Sequence, residues 1–218
     1  MTAEDARRVS NRMVDAIVVP LDGSERSERA IPVARAVATR SRARLVLVSA
    51  VRRDREDPTE RLEKLAADCA GLETSVVVVR DGPAPFAIRR AAVEAGDSAV
   101  CMTTHGRGAL RWAVLGSVAE EVVRTVERPV LLVGRRCDPE WTAAAGPMLV
   151  CLSGSERSNR VVEDAVNWAN GVGLQLRGAI VIHPLDVEDG EHSKTLIAEV
   201  QSAVAEQGTT FELALPVA

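Results

Sequence analysis

The chain has 218 residues, enough for one large or two small domains, and its apolar fraction of 46% is typical of a globular protein. A formal net charge of −4 and an aromatic content of 2% argue against a general nucleic-acid-binding protein, which usually has a basic face and stacking aromatic residues. No apolar run approaches the ~18 residues of a membrane-spanning helix, and the polar leader over residues 1–14 lacks the apolar segment of a signal peptide. We therefore expect a cytoplasmic protein that binds neither nucleic acid nor a membrane.

Short apolar strands alternate with amphipathic helices between residues 15 and 134. The first strand, residues 16–21, is rich in β-branched residues and ends at Asp22-Gly23, a typical turn. The pattern then predicts, in order, a helix over 25–39 with Pro32 as its one misfit, a strand over 45–50, a helix over 59–70, a strand over 75–79, a helix over 84–95, a strand over 98–103, a helix over 117–126 and a strand over 130–133. Because the crossovers are too long for hairpins, we predict a doubly wound α/β domain with a five-stranded parallel sheet.

Residues 135–146 form a predicted linker, after which the beginning of the domain repeats. The sequence GSERS occupies residues 23–27 and again residues 154–158, each time between an apolar strand and a predicted helix. Residues 147–218 therefore read as a second, incomplete α/β half-domain, with helices over 160–170 and 193–207 and strands over 147–152, 176–182 and 210–215. Counterparts of the fourth and fifth strands are missing, which leaves the strand over 147–152 as an open apolar edge.

The segment between the fourth strand and the next helix carries the glycines of an anion site. Glycine lets the backbone approach an anion closely and adopt positive φ, and a helix N-terminus offers free N–H groups. We expect a phosphate chain to be held by main-chain donors of Gly106, Gly116, Ser117 and Val118. The Ser117 hydroxyl, His105 and Arg107 are further candidate partners.

A structural interpretation of the same residues stays open. Ser117 and Glu120 have the spacing of a capping box, in which the two side chains merely satisfy amides at a helix start. The segment is neither a Walker loop, since no Lys-Ser/Thr follows the glycines, nor a complete dinucleotide fingerprint. Asp22, taken alone, is most simply a turn or N-cap residue.

The motif Thr103-x-His105-Gly106-x9-Gly116-Ser117-Val118, followed by a strand ending at Val133, resembles the universal stress protein family, as does the first strand closed by Leu-Asp-Gly-Ser. The resemblance covers residues 15–134. It implies the strand order 3-2-1-4-5 and ATP bound where strands one and four diverge. It places Pro20, Leu21 and Asp22 beside the adenosine, Ala50 in the adenine pocket, Thr103 at the ribose, and Gly106, Arg107, Gly116, Ser117 and Val118 at the phosphates.

The sequence departs from the family at Thr103, where the motif usually begins with glycine. Its side chain either crowds the ribose or hydrogen-bonds to it. In the second copy Ser153 stands where the first has Asp22, and no glycine-rich loop follows, so we predict no nucleotide site there.

The leading hypothesis is an ATP-binding stress-response or regulatory protein. No catalytic residue or metal site is evident, so at most slow ATP hydrolysis is expected, with Mg²⁺ bridging the phosphates. The four cysteines lack CxxC spacing and are interpreted as buried thiols. Alternatives are a dimeric interaction module whose pocket is closed by Thr103, and an enzyme of the same sheet class. Tandem members of the family usually pair through their fifth strands, so we expect a homodimer through Pro129 to Val133, with a further, unknown protein partner.

Overall fold

The computed structural model describes residues 13–51, 56–80, 82–105, 115–138, 140, 146–152, 160–180, 198 and 212–214. The chain divides into two compact units, Met1–Ala143 and Ala144–Ala218. No helix of the described residues is long and apolar enough to cross a bilayer.

The first unit is built on a five-stranded parallel sheet of order β3-β2-β1-β4-β5, which confirms the predicted fold. In chain order its elements are β1 Ala16–Pro20, α1 Glu25–Glu28, α2 Ala30–Ser41, β2 Arg44–Val51, α3 Thr59–Ala67, β3 Thr74–Arg80, α4 Ala84–Glu94, β4 Ser98–Thr103, α5 Ser117–Thr125 and β5 Val130–Val133. The two faces of the sheet alternate along each strand. Val18 and Val100 pack in the core on the α4 and α5 side, whereas the Cys101 thiol donates to the carbonyl of Ala30 in α2 at 3.7 Å.

The central strands part at their carboxyl ends. Pairing between β1 and β2 continues as far as Pro20 and Val48, but pairing between β1 and β4 ends at Val18 and Val100, although β4 runs on to Thr103. A crevice therefore opens where the winding of the sheet reverses, the usual place for a ligand in an open α/β sheet.

The single helix predicted over 25–39 is wrong, because the chain forms two helices, α1 and α2, that meet at Arg29. The break removes the misfit at Pro32. This residue becomes the third of α2, where a helix needs no backbone N–H donor, whereas in a continuous helix its missing N–H would have left the carbonyl of Glu28 without its partner.

The second unit contains a three-stranded parallel sheet of order β6-β7-β8. Its elements are β6 Met148–Leu152, α6 Val161–Val172, β7 Leu176–Ile180 and β8 Glu212–Ala214. Apolar residues of β6, β7 and α6 form its core. The helix predicted over 193–207 lies outside the described residues, except for Ala198, which is helical. That this unit is a partial second copy stays a prediction.

The cysteines only partly match the expectation of buried thiols. Cys69 and Cys101 are buried, Cys137 is half-buried and Cys151 is exposed, and all are free. The expectation is wrong for Cys151 because it alternates with Val150 and Leu152, which occupy the buried face of β6.

Candidate functional site

A cavity of about 280 Å³ lies at the carboxyl ends of β1, β2 and β4, between the first turns of α4 and α5; we call it the strand-end cavity. Every described residue that the sequence placed in the site lines it: Pro20, Leu21, Asp22, Ala50, Thr103, His105, Gly116, Ser117 and Val118. The predicted partners Gly106 and Arg107 lie outside the described residues. Residues far apart in the chain thus meet at one place because parallel strands end at the same edge of the sheet.

Sequence reasoning missed the apolar floor of the cavity. Ala84, Ala87 and Ile88 of α4 line it, as do Ser27, Val48, Met102, Thr104 and Ala119. The spacing of the three α4 residues places them on one face of a helix. This apolar face is the sequence signal that could have predicted that α4 covers the strand ends. Its small alanine side chains leave room that larger side chains would fill.

The N-terminus of α5 brings free backbone donors to the rim of the cavity. The Gly116 amide donates to the carbonyl of Thr104 at 2.7 Å, and the Glu120 amide donates to the carbonyl of Gly116 at 2.9 Å. Between them are the amides of Ser117, Val118 and Ala119, for which the described part of the chain supplies no acceptor. These are the orphan amides of a helix start, and they suit a negatively charged group.

Gly116 has a different role from the one predicted. Its amide is already engaged with Thr104, so it is not a free donor, and its φ of −74° requires no glycine. A Cβ at this position would lie 3.3 Å from the Thr104 carbonyl oxygen, a tight contact. Glycine is needed here because two backbone segments approach closely.

The capping-box interpretation is wrong for this helix. Gly116, not Ser117, occupies the N-cap position, and no side chain caps the helix. Ser117 is exposed at the first helical position, where its side chain has no role in closing the helix end.

The segment from Thr103 to His105 is fastened by its own hydrogen bonds. The Thr103 hydroxyl donates to the carbonyl of His105 at 3.1 Å, and the Thr104 amide donates to the carbonyl of Val133 at 3.1 Å. His105 is buried, with Nδ1 3.0 Å from the Thr104 hydroxyl oxygen. Thr103 therefore forms part of the cavity wall while its hydroxyl bonds to the backbone.

Asp22 lies at the cavity and also holds the turn after β1. Its Oδ1 accepts hydrogen bonds from the Ser24 amide at 3.0 Å and from the Ser24 hydroxyl at 2.6 Å. Ser24 in turn caps α1 by accepting from the Ser27 amide at 3.2 Å. The turn role considered for Asp22 is thus observed, and its carboxylate is held at the rim of the cavity.

The described residues contain no group of three or more His, Cys, Asp or Glu side chains placed to hold a metal ion.

Residues 13–134 match the model of the Universal stress protein family. The chain belongs to the universal stress protein family. The match spans the first unit's sheet from before β1 to the end of β5.

The chain is also similar to individual proteins of known sequence or structure. A universal stress protein of Thermus aquaticus, from the 3' region of a QAH/OAS sulfhydrylase, is 32% identical over 136 residues, or 56% of this chain and 99% of the relative. A crystal structure from Archaeoglobus fulgidus DSM 4304 covers 93% of this chain and 78% of its own, with 17% identity and a TM-score of 0.70, which shows a shared fold. Another universal stress protein, solved in complex with cAMP, is 26% identical over 56% of this chain and 97% of its own, with a TM-score of 0.48.

Proposed function

We propose that this universal stress protein binds ATP in the strand-end cavity and acts as a stress-response or regulatory protein. The observation that carries the proposal is one cavity that joins an apolar floor to the free amides of Ser117, Val118 and Ala119. A base and sugar need the apolar floor, and a phosphate chain needs the free amides.

The volume of the cavity limits how much of the ATP molecule it can hold. A volume of about 280 Å³ is just below the range of small-molecule sites, which commonly measure ~300 to 1,000 Å³. It suits the adenosine part, with Ala50, Ala87 and Ile88 against the base and Asp22 at the rim beside the sugar. The phosphates then extend along the first turn of α5, outside the apolar part.

Regulation by occupancy fits the cavity better than rapid catalysis. Asp22 and His105 are the titratable groups among its described lining residues, and both are hydrogen-bonded within the protein. Mg²⁺ would arrive bound to the phosphates of ATP, because this ion commonly binds through substrate phosphates and keeps several of its waters. Hydrolysis, where it occurs, would be slow.

The position of Thr103 favours this function over an interaction module with a closed pocket. Thr103 has the same parity along β4 as Cys101, whose thiol faces α2, whereas Met102 faces the cavity and the core beneath α4. The Thr103 side chain thus belongs to the α2 face, and its hydroxyl bonds to the His105 carbonyl.

Calorimetric titration of the full chain with MgATP tests the proposal. We expect saturable binding, and thermal stabilisation that approaches ~4 kcal/mol when the ligand is at about 1,000 times its Kd. Ala50→Leu should weaken binding at least tenfold by filling the floor. Ala67→Leu, the same change at the exposed end of α3, should bind as the parent does. No heat and no thermal shift at millimolar MgATP, or equal binding by both variants, would refute it.

A further inference from the structure

A second cavity, of about 430 Å³, adjoins the same β4 end, and we call it the arginine cavity. It shares Thr103, Thr104 and His105 with the strand-end cavity but is otherwise lined by different elements. Its other lining residues are Arg26, Arg29, Val133, Gly134 and Arg135. No carboxylate is among these described lining residues, although the whole chain carries a net charge of −4.

The break between α1 and α2 directs two of the arginines to the same side. Arg26 and Arg29 are three residues apart, and the Arg29 amide donates to the Arg26 carbonyl at 3.2 Å, which completes the last turn of α1. Residues at this spacing lie on one face of a helix. The Arg29 guanidinium is fixed by donating from Nη2 to the carbonyl of Cys137 at 3.1 Å.

The third arginine is supplied by a turn after β5. The Cys137 amide donates to the Gly134 carbonyl at 3.1 Å, and Arg135 is the first residue inside this turn. Cys137 therefore organises the site from both sides: its amide closes the turn that carries Arg135, and its carbonyl anchors Arg29. The hydrogen bond from Arg29 to Cys137 joins two parts of the chain that are 108 residues apart.

These positive charges lack acidic partners in the described part of the molecule. The ion pairs found there involve Arg61, Arg80 and Arg90 instead. Like charges that share a cavity repel one another, and an anion relieves the repulsion. Guanidinium groups offer paired donors that match the oxygens of phosphate.

We propose that the arginine cavity is a second ligand site of this protein, which binds a phosphate group through Arg26, Arg29 and Arg135. The phosphate belongs either to a free phosphorylated small molecule or to the chain of a nucleotide whose adenosine is in the strand-end cavity. The two cavities share the wall from Thr103 to His105. The phosphate in the arginine cavity can therefore come from a separate molecule or from a nucleotide in the neighbouring cavity. The site does not depend on the amides of α5.

Titration with inorganic pyrophosphate, AMP and ATP at low ionic strength tests the site on the full chain. Each of Arg26→Gln and Arg135→Gln should weaken pyrophosphate binding about tenfold or more, since each removes a charge-assisted interaction. AMP affinity should not change. Arg128→Gln, the same change before β5 rather than after it, is the matched control.

Two results support the site and separate its ligands. Loss of pyrophosphate binding with unchanged ATP affinity identifies a free phosphate compound, whereas parallel loss for pyrophosphate and ATP identifies the nucleotide chain. Pyrophosphate that fails to bind the parent, or that binds Arg26→Gln/Arg135→Gln as tightly as Arg128→Gln, overturns the proposal. Ala50→Leu should retain pyrophosphate binding, so failure of the ATP proposal would be distinguishable.

Discussion

Cys101, in the middle of β4, is a titratable side chain that the proposed functions do not use. Burial raises the pKa of its thiol from the ordinary value of 9.0 to about 12. The folded protein then keeps a proton that the unfolded chain releases, so this contribution to stability is complete below pH 9 and is lost as the pH rises toward 12. We predict that between pH 9 and pH 10 the free energy of unfolding falls ~1 kcal/mol more in the parent than in Cys101→Ala.

Urea denaturation across this pH range measures the difference. The alanine variant loses packing at every pH, but that loss cancels when only the slopes against pH are compared. Cys151→Ala, which removes an exposed thiol, should keep the slope of the parent. Identical slopes for the parent and Cys101→Ala would contradict the assignment of the shift to Cys101.

At the same scale, the sequence predicted which residues meet but not what each one does. The resemblance to the family placed Asp22, Ala50 and Thr103 in one pocket. The residues themselves predicted only a parallel sheet, whose strands end at the same edge. The face of the Thr103 side chain could not be predicted, because helices cover both faces of the sheet and only the structure shows Cys101 directed toward α2. The engagement of the Gly116 amide by Thr104 could not be predicted, because it depends on how closely two backbones approach.

The N-terminus of α5 allows stability and binding to be changed in opposite directions. A carboxylate in the first turn of a helix is favourable, typically by ~0.3–1 kcal/mol, because it complements the helix dipole. The same charge would repel phosphates held by the amides of Ser117 to Ala119. We therefore predict that Ser117→Glu has an equal or higher free energy of unfolding than the parent but binds MgATP at least tenfold more weakly, as measured by denaturation and calorimetry.

Ser117→Gln is the matched control, since it has the same size without the charge. It should bind MgATP within about threefold of the parent, because the side chain at this exposed position adds one hydrogen bond at most. Equal affinities for the Glu and Gln variants would show that the phosphates do not lie at the start of α5.

Among the elements of the first unit, periodicity predicted β4 and β5 with their observed bounds and the other strands and helices to within a few residues, except around Arg29. At Arg29 the apolar residues keep their helical spacing although one helix ends there and another begins. Pro32 was the signal, because a proline inside an apparent helix indicates a boundary near it. The arginine cavity escaped prediction for the same reason, since the break positions Arg26 and Arg29 beside a turn far along the chain.

The strand order of the whole first unit leaves β5 at one edge of its sheet. The strand is entirely apolar, and Leu132 is 39% exposed. Unpaired backbone groups on an apolar edge strand favour pairing with another chain. We propose a homodimer in which Pro129 to Val133 pairs with the same strand of a second copy, which a two-fold axis makes antiparallel.

A charge on this edge should dissociate the dimer without unfolding the protein. We predict that the parent sediments as a dimer at micromolar concentration and that Leu132→Lys sediments as a monomer, because a lysine on an edge strand opposes edge-to-edge pairing. Val123→Lys, at an apolar position of α5 that is 45% exposed, should remain dimeric.

The alternative edge strand for pairing is β6 of the second unit, where Leu149 is 56% exposed. A dimer that survives Leu132→Lys but is lost in Leu149→Lys would place the interface on the second unit's sheet. The reason is that an introduced lysine disrupts the dimer only when it lies on the strand that pairs.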